Sequence, residues 1–162
     1  MIYTLMHFDT PLIVFSAERQ VGATIKIMEA HEDNKELFPL DLAEVSESGI
    51  ESWIKHRSIP KNRAYVNTLL SSLGLSINRP LDIISVSKGL SLNDCYWLKQ
   101  EGSSDSFDSV NLYDNRFSRV LGQIAFIGYG SSNVSGLTSS PEFTTNGMLP
   151  KCWRRIDGKI LL

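Results

Sequence analysis

An α+β fold is predicted by three features of the 162-residue sequence: β-prone runs between turn residues at its start, apolar positions at helical spacing in its middle, and an Asp-Gly turn signal near its end. The expected order is an N-terminal antiparallel β-meander, a helical hairpin with further short helices, and a C-terminal β-hairpin.

The meander is read from Ile2 to Phe8, Leu12 to Phe15 and Ala23 to Met28. Asp9-Thr10-Pro11 closes the first hairpin, and Gly22 with Glu18-Arg19-Gln20 closes the second. Alternation in Thr24-Ile25-Lys26-Ile27 gives the sheet one solvated face, and His31 to Glu36 reads as a charged loop.

A helix is predicted after Ser48, because Ser48-Gly49-Ile50-Glu51 has the pattern of a capping box, with Ile50, Trp53 and Ile54 on one face. Pro60 disfavours helical geometry at Ile59, so this helix should break near Ser58. A second helix follows, carrying Val66, Leu69, Leu70 and Leu73 at i, i+3, i+4 and i+7, with Gly74 as its left-handed stop. The two should form a helical hairpin or corner.

Pro80 to Val86 fits either a short helix with proline in its first turn or a buried strand; the helix is preferred because Gly89 follows as a stop. Tyr96-Trp97-Leu98 reads as a strand, and Val120, Leu121, Ile124 and Ile127 as a helix capped by Ser118 and stopped by Gly128. Ser, Gly, Thr and Asn dominate from Gly128 to Gly147, which reads as a surface loop. Asp157-Gly158 then joins Lys151–Ile156 to Lys159–Leu162. Those last strands end on Ile160-Leu161-Leu162, either docked into the meander sheet or, as preferred, interrupted at the front edge of a further sheet.

Composition bounds the function. A chain of this length buries roughly 70% of its unfolded surface, and 42% hydrophobic with 21% charged residues is ordinary for a globular protein. A formal net charge of -2 with mixed signs gives no electrostatic footprint for direct nucleic-acid binding. Neither a membrane-spanning run nor a secretory signal is read, so the expected compartment is the cytoplasm. Cys95 and Cys152 stand singly and His7, His31 and His56 lack companions at ligand spacing, so no metal site is expected.

No Ser-His-Asp arrangement can be assigned, and Gly128-Tyr129-Gly130 lacks the third glycine of a dinucleotide fingerprint. Asp94, Asp108 and Asp114 sit in turn and cap contexts, and Trp53, Trp97 and Trp153 read as core or interface anchors. Arg57, Ser58 and Arg63 cluster at the helix junction. They serve either as an interaction edge for a partner or structurally, with Ser58 capping the second helix and the arginines meeting nearby carboxylates or carbonyls.

Several segments together carry a resemblance: Tyr3-Thr4-Leu5-Met6-His7, Trp53 to Pro60, Gly89 to Lys99, Asn111 to Ser118, and Thr144-Thr145-Asn146-Gly147 through Arg154. Their collinear order resembles the N-terminal region of HipA-like serine/threonine protein kinases, over nearly the whole chain.

The resemblance implies a HipA-like N-terminal subdomain at residues 1–130, a Ser/Gly/Thr-rich loop at 131–147, and the start of a kinase-like N-lobe at 148–162, cut off there. Thr144, Thr145, Asn146, Gly147 and Lys151 look like the family's phosphate loop and its edge, against the plainer reading of a surface turn beside a solvated lysine. The resemblance also makes Thr144, Thr145, Ser139 and Ser140 candidates for phosphorylation, against the plainer reading of hydroxyls in a flexible loop. ATP and magnesium are implied for the full-length family and no cofactor for this chain, since the catalytic aspartate, the metal-binding aspartate and the ATP-anchoring lysine should lie downstream. No activity is therefore expected of the chain alone. The expected partners are a kinase core, in cis or in trans, and a DNA-binding antitoxin or substrate; the alternative is a stand-alone interaction module.

Overall fold

A computed structural model describes residues 1–18, 24–76, 79–130, 141–143 and 149–162. Its centre is a four-stranded antiparallel sheet in the order β3-β2-β1-β4, formed by β1 (Ile2–His7), β2 (Thr10–Ala17), β3 (Ile25–Ala30) and β4 (Tyr96–Gln100). The meander forms as its alternation predicts; its second connection, residues 19–23, lies outside the described residues. β4 arrives from much later in the chain and pairs with the free edge of β1, matching Leu5 with Leu98 and Met6 with Trp97.

One face of this sheet is covered along its length; the other, expected to be solvated, stays open over β3, where Lys26 and Met28 are exposed, but is covered at β1 and β4, which corrects the expectation there. On one, Tyr3, Leu5, Ile13, Phe15 and Leu98 pack against Ile50, Trp53 and Ile54 of α1 (Glu47–His56) and Leu81 and Ile84 of α3 (Pro80–Ser87). On the other, Met6 and Trp97 pack with Leu90, Leu112 and the Phe107 and Val110 side chains of the short α4 (Phe107–Val110). The indole of Trp97 donates to the Phe8 carbonyl at 2.6 Å, and the Asp9 carboxylate accepts from the Phe107 amide at 2.8 Å. The first bond ties β4, and the second α4, to the first hairpin.

A third cluster lies beyond α3. Ile83, next to Ile84 in sequence, faces Val66, Leu69 and Leu70 of α2 (Val66–Ser71) and Leu121 and Ile124 of α5 (Arg119–Ile127). Apolar on two sides, α3 is therefore sandwiched between the sheet and an outer helical layer, with Asp82 and Ser85 on its remaining, partly exposed face. This settles Pro80–Val86 as helix.

Three local expectations are corrected. The N-cap of α1 is Ser46 rather than Ser48: Ser46 is extended, and its hydroxyl accepts from the Gly49 amide at 3.1 Å. A second serine two residues away made the wrong register look equally good. The segment read as a charged loop contains a 3₁₀ turn, Glu32–Leu37. The second helix does not follow at once, since turns occupy residues 60–65 before α2 begins.

Gly128 ends α5 as expected, at φ +82°. A Cβ there would fall 2.6 Å from the Tyr65 ring, so both the backbone sign and the close approach call for glycine. β5 (Arg154–Ile156) and β6 (Lys159–Leu161) meet at Asp157 and Gly158, whose φ values of 48° and 75° are those of the two-residue turn the dipeptide predicts. This hairpin is a separate two-stranded sheet, so the alternative of docking into the meander is not the arrangement found.

An ion pair links the end of α3 to the loop between β4 and α4. Lys88 donates to Asp105 at 2.5 Å, as does Ser103, and these bonds hold the Asp105 carboxyl below the usual aspartate range. A lowered folded-state pKa contributes stability that is complete above the unfolded value and is lost as pH falls through the folded one. Asp105→Asn should therefore flatten the acid limb of the stability profile, which urea melts across that limb would measure. Replacing Ser46 with alanine should cost about 1 kcal/mol, and Ser48→Ala only a small fraction of that; equal costs would show that the cap is shared.

Candidate functional site

The C-terminal segment is fastened to the helical layer through one side chain. Turns at residues 60–65, closed by the Arg63 amide on the Pro60 carbonyl at 3.1 Å, aim Arg63 inward, where its side chain is 0% exposed. Its guanidinium reaches Glu142, 79 residues later, pairing with the carboxylate at 2.8 Å and donating also to the Glu142 carbonyl. It further donates to the Lys151 carbonyl at 3.3 Å. The other Glu142 carboxylate oxygen accepts from the Trp153 amide at 2.8 Å.

Glu142 lies in a short 3₁₀ turn, Pro141–Phe143. Burial pushes its carboxyl above the usual range, opposed by the Trp153 amide and by Arg63. A buried ion pair of this kind is costly to leave half made, because the survivor keeps its charge without a partner.

Beside this clasp, the outer surface of α5 and residues 152–156 enclose a groove of about 1230 Å³. Its apolar wall includes Phe126, Ile127 and Ile156, which are 53%, 37% and 51% exposed. Arg116, Arg119, Arg154 and Arg155 line it, with no carboxylate among the described lining residues. Arg155 is held in place: it donates to the Leu112 carbonyl at 3.1 Å and lies over the Phe117 ring at 5.4 Å. Arg116, Arg119 and Arg154 are exposed and take part in no ion pair among the described residues.

The residues singled out from sequence are distributed differently. Thr144, Thr145, Asn146 and Gly147 lie outside the described residues, as do Ser139 and Ser140. Lys151 sits beside the clasp, contributing its carbonyl to Arg63. Arg57 makes a two-pronged pair with Asp94, at 2.9 and 2.5 Å, donates to the Gly89 carbonyl and lies 4.6 Å over the Trp53 ring. Both arginines of the helix junction thus meet carboxylates and carbonyls within the fold. The Ser58 hydroxyl donates back to the Ile54 carbonyl at 3.0 Å, so it closes the end of α1 instead of capping α2. The N-cap position of α2 is occupied by Tyr65.

Asp94 is the hub of this junction, accepting also from the Tyr96 amide while its own carbonyl accepts from the Tyr113 hydroxyl. Burial, followed by the Asp94 charge, raises the Cys95 thiol and the Tyr96 phenol above their usual ranges. An elevated thiol pKa disfavours the reactive thiolate. Among the described residues no group of three or more His, Cys, Asp or Glu could hold a metal ion, and no helix is long and apolar enough to cross a membrane.

Sequence reasoning missed Glu142 and the cationic groove. Glu142 stands inside the Ser/Thr/Gly-rich run, where a lone carboxylate reads as solvated, and its partner is distant in sequence. A usable signal was present: Glu142 follows Pro141 and is the single acidic residue between Asp114 and Asp157.

No family model matches this chain, and neither does any curated protein or solved structure.

Arg63→Ala should cost about 3–5 kcal/mol, as expected for removing one partner of a buried pair. The double change Arg63→Met with Glu142→Leu should recover most of that loss, because no charge is left stranded. Urea denaturation of the three proteins measures both effects; a single-variant loss below about 1 kcal/mol would be that of a surface pair instead.

Proposed function

We propose that this chain is the non-catalytic N-terminal portion of a HipA-like serine/threonine kinase, which packs against a kinase core and supports or regulates it. ATP and magnesium belong to that core in this reading, and residues 144–147 with Lys151 would form the edge of its phosphate loop. A DNA-binding antitoxin or a substrate protein is the further partner. The collinear run of motifs from Tyr3 to Arg154 supports the assignment. The observation that carries it is the β5–β6 pair, which stands outside the main sheet and leaves Leu161 and Leu162, outside the groove described above, 47% and 64% exposed. Two strands alone are marginal in water and are stabilised by further strands or a covering helix. A kinase N-lobe sheet continuing from this hairpin would supply that cover.

A second reading, a stand-alone interaction module without kinase activity, is favoured by the groove beside α5. An Arg57 and Arg63 edge does not support it, because both guanidiniums are engaged inside the fold.

The test is to co-express the full chain with the kinase core encoded next to it or in frame with it, then measure association and ATP turnover. The proposal expects a complex that survives size exclusion, a change in the core's turnover, and no ATP hydrolysis by the chain alone. Absence of both complex and change in turnover would overturn it.

A further inference from the structure

We propose that the groove between α5 and residues 152–156 is a docking site for an extended, acidic peptide segment carrying apolar side chains. The assignment rests on the groove itself and holds under either reading above. Three observations lead to it.

The first is charge. Over the whole chain acidic residues slightly outnumber basic ones, giving a net charge of -2, yet the described groove lining carries arginines and no carboxylate. Elsewhere in the fold arginines find partners: Arg57 has Asp94, Arg63 has Glu142, and Arg79 has Asp82 at 3.4 Å. Arg116, Arg119 and Arg154 converge on one groove without such partners among the described residues. Like charges gathered on one face repel one another, and an incoming anionic segment removes that repulsion.

The second is the apolar wall. Phe126 and Ile127 on α5 face the same groove as Ile156 on β5, all substantially exposed. Aliphatic and aromatic side chains of a peptide would cover them, whereas a sugar-phosphate chain has little that matches the isoleucines. Phe117 and Trp153 line the groove as well, and aromatic rings along a basic track also suit a single-stranded nucleic acid; the isoleucines and the adjoining strand edge favour a peptide, and the oligonucleotide probe below separates the two.

The third is the strand. β5 contributes to the groove and has only β6 as a strand partner among the described residues, which leaves its second edge without one. An extended segment added there gains main-chain hydrogen bonds, with specificity from alternate side chains. Acidic residues toward the arginines and apolar residues toward Phe126 and Ile156 would give such a segment an alternating pattern.

The test uses the intact chain and three fluorescent probes: a peptide of about eight residues, near the usual strand length, alternating glutamate with leucine and phenylalanine; its lysine-for-glutamate counterpart; and a single-stranded oligonucleotide of equal negative charge. Anisotropy should show saturable binding of the acidic peptide, weakened by added salt, and none of the basic one. Arg119→Glu with Arg154→Glu should weaken binding by about tenfold or more, as expected for two charge contacts reversed. Phe126→Ser should weaken it independently. All three positions are exposed, so the variants should melt with the parent. The proposal is overturned by lack of saturable binding to the acidic peptide, by binding that survives both sets of substitutions, or by an oligonucleotide that binds as tightly as the peptide.

Discussion

Arg63 and Glu142 lie 79 residues apart and meet where neither side chain touches bulk water. Around that contact the chain changes character. Before it, sheet and helices share continuous apolar clusters; after it, the hairpin is a separate small sheet with an exposed apolar strand pair. Among the described residues none of 149–162 joins a buried apolar cluster, and polar contacts fasten this segment. One guanidinium reaches the Glu142 carboxylate, the Glu142 carbonyl and the Lys151 carbonyl together. Such a contact specifies position more than it adds stability, because desolvating both charges offsets most of their attraction.

The position it fixes is what creates the groove. Glu142 binds the Trp153 amide with the carboxylate oxygen that Arg63 leaves over, which places residues 152–156 alongside α5. Arg155 completes the attachment from the opposite direction by bonding carbonyls at Leu112 and Asn115, in the turn that precedes α5. The groove wall is therefore held at two points by buried or half-buried guanidiniums. Its remaining arginines are free to face outward.

Sequence made the elements legible wherever the signal was local. Leucines at helical spacing, Asp157-Gly158, Pro80 with Gly89, and the Ser118–Gly128 bracket each describe a few neighbouring residues, and each element formed at those residues, although α2 begins only at Val66, after intervening turns. Failures came where two local signals competed or where the cause was distant. Ser46 and Ser48 are chemically identical caps, and the choice between them depends on how the chain enters α1 from the Leu40–Leu42 turn. The pairing of β4 with β1 and the Asp9 bond that anchors α4 span some ninety residues, and no periodicity reports them. At the candidate site the same limit applied: Arg57 and Arg63 were recognisable as a cluster, but not which carboxylates each would find.

Exposed apolar side chains beside unpaired cations also constrain what the groove can meet. Phe126, Ile127 and Ile156 alone would favour self-association, since uncovered apolar patches tend to bury one another. Surrounding them with Arg116, Arg119 and Arg154 makes a second copy of the same face a poor partner, because bringing two such faces together would place like charges in contact. The pattern thus discriminates by repulsion as well as attraction: apolar contact becomes favourable only when the incoming surface brings negative charge with it. Any partner of this groove would have to satisfy that condition, which depends on this face of the fold and not on the partner's identity.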